Sequence, residues 1–274
     1  MKVNGRDIGI CSWSLADGDT TTLIRHLKTL GLNHVQLDLN PFLDGADAST
    51  CARVLRAAGI VLTAGMMGFS GEDYKTIQSI TATAGFVPDD VADERIERAL
   101  AAAELGRSVF GVDRISTHAG ALAMAGAANY QRVQGRMKRI ATRYAELGLE
   151  LLLETGQESP SVLISFLSDL ASPNVKVNFD PANMILYGAG DYLQAFQQLG
   201  SCIGHVHIKD AIASDRPGQT WGKEVAPGLG QVNWKRFLQA LDDIGYRGPL
   251  VIEREAGADR LADIERTLKM LVQT

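Results

Sequence analysis

The sequence is poor in several features that mark particular classes of protein. It has three cysteines, Cys11, Cys51 and Cys202, and no Cys-x-x-Cys pair, which argues against a zinc knuckle and a disulfide-stabilised secreted domain. No apolar run approaches the roughly 18 residues of a membrane span. The apolar stretch of residues 8–15 is broken by two serines, which makes a poor signal-peptide core. We therefore expect a cytoplasmic protein with no membrane partner.

The sequence also has fewer positively charged than negatively charged residues. The chain carries 27 lysines and arginines against 32 aspartates and glutamates, for a net charge of −5. Nucleic-acid-binding proteins usually carry a basic surplus, so we expect no nucleic-acid partner. A small substrate is compatible with this balance, because a single pocket can still be locally basic.

The sequence does contain a regular alternation of short apolar runs with longer amphipathic segments. The apolar runs, rich in Val, Ile and Leu like buried parallel strands, are residues 8–13, 34–39, 60–66, 114–118, 149–154, 175–179, 205–208 and 250–253. The clear helical patterns are residues 21–30, 50–58, 91–105, 130–147, 161–170, 234–244 and 258–272. Strands that alternate with helices at this spacing predict an α/β fold, a (β/α)8 TIM barrel that forms a single domain over residues 1–274.

Two connections are longer than the others, residues 67–90 and residues 210–231. They follow the third and seventh predicted strands, so their extra length belongs at the C-terminal mouth of the barrel, where loops carry function. Trp221, Lys223 and Glu224 lie in the second loop. The pattern is compatible with a lid over a substrate and with an ordinary surface loop.

Four consecutive predicted strands place a metal-competent side chain at or just past their C-terminal ends: Glu154, Asp180, His207 and Glu253. Strand ends of a barrel share one rim, so these side chains are expected to meet there. Three carboxylates and one imidazole suit manganese, magnesium or cobalt and tolerate zinc. Singly, each residue also fits a solvated strand end or a core histidine. Together they predict a site for one divalent metal ion, with Glu255 as the alternative ligand if the strand register differs by two.

Alternation along the seventh strand places His205, His207 and Lys209 on one face at successive heights. If His207 is a ligand, His205 lies one layer deeper, as a core residue or a support for the ligands. Lys209 lies nearer the mouth. It could polarise a substrate oxygen or pair with a carboxylate of the rim.

Two further side chains end predicted strands and are candidate substrate contacts. Trp13 ends the first strand and could stack on the apolar face of a sugar, although a core position is equally compatible. His118 ends the fourth strand and is expected to face the pocket, where it could hydrogen-bond a substrate hydroxyl.

At these residues the chain resembles the sugar phosphate isomerase/epimerase superfamily of xylose isomerase-like barrels. This superfamily includes ketose 3-epimerases, hydroxypyruvate isomerase, inosose dehydratase and apurinic endonucleases. The matching segments are LETG at 153–156, FDPAN at 179–183, GHVHIKD at 204–210, GLGQVNW at 228–234 and IER at 252–254. The likeness spans nearly the whole chain and is strongest from Glu154 onward.

The resemblance implies a TIM barrel with a metal ion on the same four residues. It also implies that Glu154 and Glu253 act as the acid/base pair of the epimerase branch. Glu158 matches a position that contacts substrate hydroxyls in that branch.

Two departures from the family pattern bear on substrate preference. Asn183, a candidate substrate contact, stands where several relatives have a histidine that helps to bind metal or substrate. Gln36 and Asp38 lie on the second strand, where a glutamate is common. The substrate of any one relative is therefore not transferred to this chain.

Taken together, the residues and the resemblance predict a metal-dependent isomerase or epimerase acting on a small ketose or keto-sugar, with manganese as the first candidate metal. One glutamate would remove the proton beside the carbonyl to give an enediolate. The alternative is a lyase or dehydratase acting on a keto-inositol or a 3-keto-glycoside. Only five histidines and a negative net charge disfavour an apurinic endonuclease. The expected partner is a sugar, and a homo-oligomer is compatible with the sequence.

Overall fold

Eight parallel strands close into a ring in the computed structural model, which describes residues 1–15 and 19–274. In chain order the strands are β1 (Lys2–Val3), β2 (Arg6–Cys11), β3 (His34–Asp38), β4 (Val61–Met66), β5 (Arg114–Thr117), β6 (Glu150–Glu154), β7 (Val175–Phe179), β8 (Ile203–Ile208), β9 (Asp210–Ile212), β10 (Lys223–Val225) and β11 (Leu250–Ile252). The ring runs from β2 through β8 in sequence, and β11 closes it by pairing with both β8 and β2. The predicted TIM barrel is therefore confirmed.

The helices lie outside this ring. They are α1 (Thr20–Leu30), α2 (Asn40–Leu43), α3 (Ala48–Ala57), α4 (Ile77–Thr83), α5 (Ala92–Leu105), α6 (Tyr130–Glu146), α7 (Pro160–Leu170), α8 (Pro181–Tyr187), α9 (Tyr192–Leu199), α10 (Trp234–Asp243) and α11 (Arg260–Gln273). The seven predicted helices are present with ends displaced by a few residues. The short helices α2, α4, α8 and α9 were not predicted, because fewer than three turns carry little periodic signal.

The first strand differs most from its prediction. Residues 8–13 were expected to be extended, but β2 ends at Cys11 and the segment Ser12–Leu15 forms a 3₁₀ turn. Ser12 starts this turn, and its hydroxyl accepts a hydrogen bond from the backbone N–H of Asp38 at 2.9 Å. The turn therefore contacts β3 through Ser12, while Trp13 and Ser14 contact the residues that follow β11.

Beneath the rim lies a buried histidine whose two ring nitrogens both have polar partners. His205 is completely buried, with Nδ1 2.9 Å from Asn178 Oδ1 and Nε2 3.3 Å from Thr63 Oγ1. Burial, reinforced by the charge of His207, lowers the pKa of His205 well below its usual value. His205 is thus a neutral residue of the barrel core. The sequence predicted either this position or one that supports the ligands.

Both long connections reach the C-terminal mouth, as predicted. The first contains α4, and the second forms a hairpin in which β9 pairs antiparallel with β10. Asp210, buried just after β8, organises the second loop by accepting hydrogen bonds from the backbone N–H groups of Gly228, Gly230 and Val232. Across the described residues, no helix combines the length and apolarity needed to cross a bilayer.

Candidate active site

The four candidate ligands meet at the C-terminal rim of the barrel. Glu154 is the last residue of β6, Asp180 follows β7, His207 lies near the end of β8 and Glu253 follows β11. All four side chains are buried. One ligand atom from each lies within 4.8 Å of the others. The strand-end pattern therefore brings together one imidazole and three carboxylates, as the sequence predicted.

The His207 ring is held so that Nδ1 faces the carboxylates. Nδ1 lies 3.4 Å from Glu154 Oε1, 3.6 Å from Asp180 Oδ2 and 3.4 Å from Glu253 Oε2. On the opposite edge, Nε2 lies 2.6 Å from Gln36 Oε1. Asn178 Nδ2 also lies 3.1 Å from Nε2, but the shorter contact is to an amide oxygen, which only accepts hydrogen bonds, so Nε2 carries the proton in the neutral ring. The lone pair on Nδ1 is then directed at the cluster, the arrangement in which a histidine binds metal.

Two buried atoms at the cluster centre test whether these residues fit a metal ion. Asp180 Oδ1 caps α8 by accepting hydrogen bonds from the backbone N–H groups of Ala182 and Asn183, at 2.7 and 3.0 Å. Among the described residues, Asp180 Oδ2 and His207 Nδ1 have no hydrogen-bond partner. Buried polar atoms without partners are costly, and a cation between them would remove that cost. The donor set therefore fits one divalent ion.

A proton competes with such an ion for His207. Burial opposes a charge on this ring, but the carboxylates of Glu253 and Glu154 outweigh burial and raise the pKa of His207 well above its usual value. Metal ligands must be deprotonated, so acidification is expected to weaken binding at this site.

Both oxygens of Glu253 are fixed by neighbours. Oε1 accepts a hydrogen bond from Trp13 Nε1, and Oε2 accepts one from Lys209 Nζ, each at 2.8 Å. Burial would raise the pKa of Glu253, but the positive charge of Lys209, with that of His207, holds it well below the usual value. Glu253 is therefore an ionised carboxylate. Lys209 also lies 2.8 Å from Glu255 Oε2, so the predicted pairing with rim carboxylates is present.

Glu154 is oriented from the other side of the cluster. Its Oε1 accepts a hydrogen bond from Asn183 Nδ2 at 3.0 Å, and its Oε2 accepts one from Asn178 Nδ2 at 3.4 Å. His118 Nε2 lies 3.9 Å from Oε2. Burial would raise the pKa of Glu154, but the His118 and His207 rings outweigh it and lower that pKa. Asn183 and His118 thus both contact a candidate ligand.

A cavity of about 420 Å³ opens above the cluster. The candidate residues that line it are Trp13, His118, Glu154, Asn183, Lys209 and Glu253. Trp13 reaches it from the 3₁₀ turn, so the expectation that Trp13 ends a strand is wrong although its place at the pocket is right. Glu158, between β6 and α7, does not line this cavity among the described residues. Burial raises the pKa of Glu158 to about 7.

Sequence reasoning missed part of the cavity wall. The additional lining residues include Glu72, Tyr74 and Tyr187, and the lining also contains Glu255, which was predicted as an alternative ligand. Trp221 and Glu224 of the second long loop also line the wall, whereas Lys223 of the same loop does not among the described residues. The rings of Tyr187 and Trp221 pack edge to face, with centroids 4.6 Å apart. These residues lie on loops, a short helix and the three-residue strand β10, where no strand or helix period is long enough to reveal the direction of a side chain.

Comparison with known proteins agrees with this architecture. A family model described as xylose isomerase-like TIM barrel matches residues 24–274. The chain belongs to the xylose isomerase-like TIM barrel family. A solved structure, the xylose isomerase domain protein from Planctomyces limnophilus, is 30% identical and superimposes with a TM-score of 0.87 over 99% of this chain and 96% of that one.

Two further relatives extend the comparison within the family. The inosose dehydratase of Lacticaseibacillus casei is 23% identical over 155 residues, which cover 51% of this chain and 52% of that protein. The match thus spans about half the length of that relative. The ketose 3-epimerase of Arthrobacter globiformis is 24% identical over 258 residues, covering 89% of this chain and 81% of that one. The resemblance to the sugar isomerase and epimerase superfamily is therefore confirmed.

Proposed function

We propose that this protein is a divalent-metal-dependent isomerase or epimerase acting on a small ketose or keto-sugar. The observation that carries the proposal is the buried cluster of four ligand atoms within 4.8 Å of one another. Its unpaired Asp180 Oδ2 and His207 Nδ1 lie beneath an open cavity. Glu154, Asp180, His207 and Glu253 would hold the ion, with manganese as the first metal to test.

The proposed chemistry is proton transfer at the carbon beside a carbonyl. A divalent cation on these ligands would supply Lewis-acid polarisation of that carbonyl. An ionised glutamate, Glu154 or Glu253, accepts the proton from the adjacent carbon. Return of the proton to the neighbouring carbon gives the aldose–ketose isomer. Delivery of a proton to the opposite face of the same carbon, from the side of the second glutamate, gives the epimer.

The surrounding residues support this role by fixing the two glutamates. Trp13 and Lys209 each occupy one oxygen of Glu253, and Asn183 occupies one oxygen of Glu154. Such contacts limit the rotation of each carboxylate and so define where the proton is taken up. The cavity volume of about 420 Å³ lies within the range of small-molecule sites.

A lyase or dehydratase remains the second candidate, and the match to an inosose dehydratase favours it. That reaction begins with the same proton removal, but a leaving group then departs from the β carbon. The two candidate reactions differ in their products. Elimination gives an unsaturated carbonyl compound that absorbs in the ultraviolet, whereas epimerisation forms no such compound.

The direct test is solvent-deuterium incorporation. Manganese-loaded protein is incubated in D₂O with a panel of ketoses and 3-keto-sugars, and products are followed by NMR. We expect deuterium on the carbon beside the carbonyl of at least one sugar, and none with Asp180→Ala, which lacks one ligand. Incorporation no faster than in protein-free controls, across the whole panel, would contradict the proposal.

A further inference from the structure

The cavity above the cluster carries an excess of negative charge. Six carboxylate side chains line it: Asp38, Glu72, Glu154, Glu224, Glu253 and Glu255. Among the described residues, Lys209 is the one lysine or arginine that lines the same cavity. A concave site lined by one sign of charge concentrates its field on whatever enters. The cavity is therefore expected to discriminate between substrates by their charge.

The charge of Lys209 is already balanced. Its Nζ lies 2.8 Å from Glu253 Oε2 and 2.8 Å from Glu255 Oε2, and its side chain is only 5% exposed. These two contacts use two of the three N–H donors of Nζ. A phosphate or carboxylate of a substrate that bound the third donor would lie close to both carboxylates.

Two arginines next to the cavity are committed in the same way. Arg254 is buried and donates to the carboxylates of Glu224 and Asp263. Arg98 donates to Asp44 Oδ1 at 2.7 Å and to two further oxygen acceptors on the adjoining loops. Neither guanidinium is therefore free to form the paired hydrogen bonds by which arginine recognises phosphate.

A divalent cation on the four candidate ligands would offset only part of this charge. It would leave the carboxylates of Asp38, Glu72 and Glu255 in the cavity lining, whereas Glu224 is already paired with Arg254. A sugar phosphate carries about −1.5 to −2 charges near neutral pH. Placing like charges side by side in a partly desolvated site weakens binding strongly.

We infer that the cavity accepts keto-sugars that carry no phosphate or carboxylate group, and that Glu255 determines this specificity by keeping Lys209 paired. The inference rests on the proposed function for the nature of the substrate. It adds the charge of that substrate, which the family membership leaves open.

The test compares the binding of charged and uncharged sugars to one protein. D-Fructose and D-tagatose, and the 1-phosphate and 6-phosphate of each, are titrated into manganese-loaded protein by calorimetry. We expect every phosphate to bind at least about tenfold more weakly than its parent sugar. The difference should shrink as salt is added, because exposed carboxylates are screened. A salt-independent difference would indicate steric exclusion and would overturn the inference.

Glu255→Gln releases Lys209 from one of its two partners. We expect this variant to bind the phosphates at least about tenfold more tightly than the wild type does, with less change for the uncharged sugars. Glu72→Gln removes a mouth charge without touching Lys209 and should give a smaller change in the same direction. Glu265→Gln, on the exposed face of α11, is the matched control and should change neither affinity.

Binding and turnover separate this inference from the proposed function. Equal or tighter binding of the phosphates by the wild type, or no binding of the uncharged sugars, would overturn the inference. So would a Glu255→Gln variant that discriminates as strongly as the wild type. If the uncharged sugars bind as expected but no keto-sugar exchanges its proton with solvent, the proposed function fails and the charge selection stands.

Discussion

The two halves of the barrel rim differ in what they contribute to the site. Strands β6, β7, β8 and β11 end in the four candidate ligands, whose charges meet within 4.8 Å. Strands β2–β5 contribute residues that touch those ligands from outside: Trp13 contacts Glu253, Gln36 contacts His207 and His118 approaches Glu154. One half thus supplies all four ligands, and the other half helps to orient them, together with Asn178, Asn183 and Lys209 of the ligand half.

Cys11 lies close enough to the cluster that either role, ligand or supporting residue, has to be considered. It ends β2, and its Sγ lies 3.7 Å from His207 Nε2, so it is close enough to be considered a ligand. Burial raises the pKa of the Cys11 thiol to about 12. A thiol that stays protonated is a poor ligand and a poor nucleophile. Cys11 therefore belongs with the supporting half, and proximity alone does not make a ligand.

The largest effects are expected from the two glutamates of the ligand half. Glu154→Gln and Glu253→Gln keep the size and one coordinating oxygen of the side chain but remove its basicity. Each variant should lose about a hundredfold or more in turnover while still binding some metal, since acid–base groups typically contribute 10²–10⁴-fold. Turnover and metal content are measured on the same preparations.

The matched control for this pair is Glu265→Gln, which should retain the wild-type rate. If Glu253→Gln also turned over a confirmed substrate at the wild-type rate, the two-glutamate mechanism would be wrong. Lys209 and Glu255 would then be the next candidate bases, because both lie beside Glu253.

A smaller effect is expected from the supporting half. Gln36→Leu removes the acceptor of His207 Nε2 and leaves that buried nitrogen without its 2.6 Å partner. Loss of an outer hydrogen bond to a metal-binding histidine typically lowers metal affinity about 10–100-fold. Gln36→Glu preserves the acceptor and should bind metal at least as tightly as the wild type. Competition with a chelating dye measures both, and equal affinities for the Leu and Glu variants would refute the orienting role.

The next prediction concerns Glu158, which lies beside the ligand half of the rim but does not line the cavity. Its pKa, about 7 in the folded protein against 4.5 ordinarily, means that the folded state retains a proton that the unfolded chain has lost. Stability should therefore fall as pH rises from about 4.5 through 7, by about 1–3 kcal/mol. Glu158→Gln should abolish that part of the pH dependence in urea unfolding at about pH 5 and pH 8. Parallel curves for wild type and variant would show that Glu158 is not held protonated.

The smallest expected effect concerns the two long loops, residues 67–90 and 210–231, which line the cavity mouth with Glu72, Tyr74, Trp221 and Glu224. Their role as a lid remains a prediction. Closure over a bound sugar would exclude water from the reaction. Limited proteolysis should cut these loops in the free protein and spare them at saturating ligand. Identical cutting under both conditions would count against a lid.

The sequence predicted the ligand half of the rim better than the supporting half, for a physical reason. Buried parallel strands read as continuous apolar runs, so a carboxylate or histidine at the end of such a run stands out, as Glu154 and Glu253 do. The motifs from Glu154 onward reinforced that signal. Strand position and residue chemistry together were sufficient to place all four candidate ligands at one point.

The supporting contacts could not be predicted in the same way, because they depend on the path of the chain after each strand ends. Trp13 reaches Glu253 because a 3₁₀ turn, and not an extended strand, follows Cys11. Tyr187 and Trp221 meet across a short helix and a hairpin that lack a readable period. The role of Gln36 was hidden because a polar residue inside a strand is compatible with several hydrogen-bonding partners.

Metal content shows whether the four strand-end residues hold an ion, with one variant taken from each half of the rim. Wild type, Asp180→Ala and Asp38→Ala are purified, supplemented with manganese, desalted and analysed for metal. A metal site on the four ligands predicts about one ion per chain in the wild type and in Asp38→Ala, because Asp38 lines the cavity wall outside the ligand cluster. It predicts a near-complete loss in Asp180→Ala, which lacks one of four ligands. Full occupancy in Asp180→Ala, or none in the wild type, would contradict it.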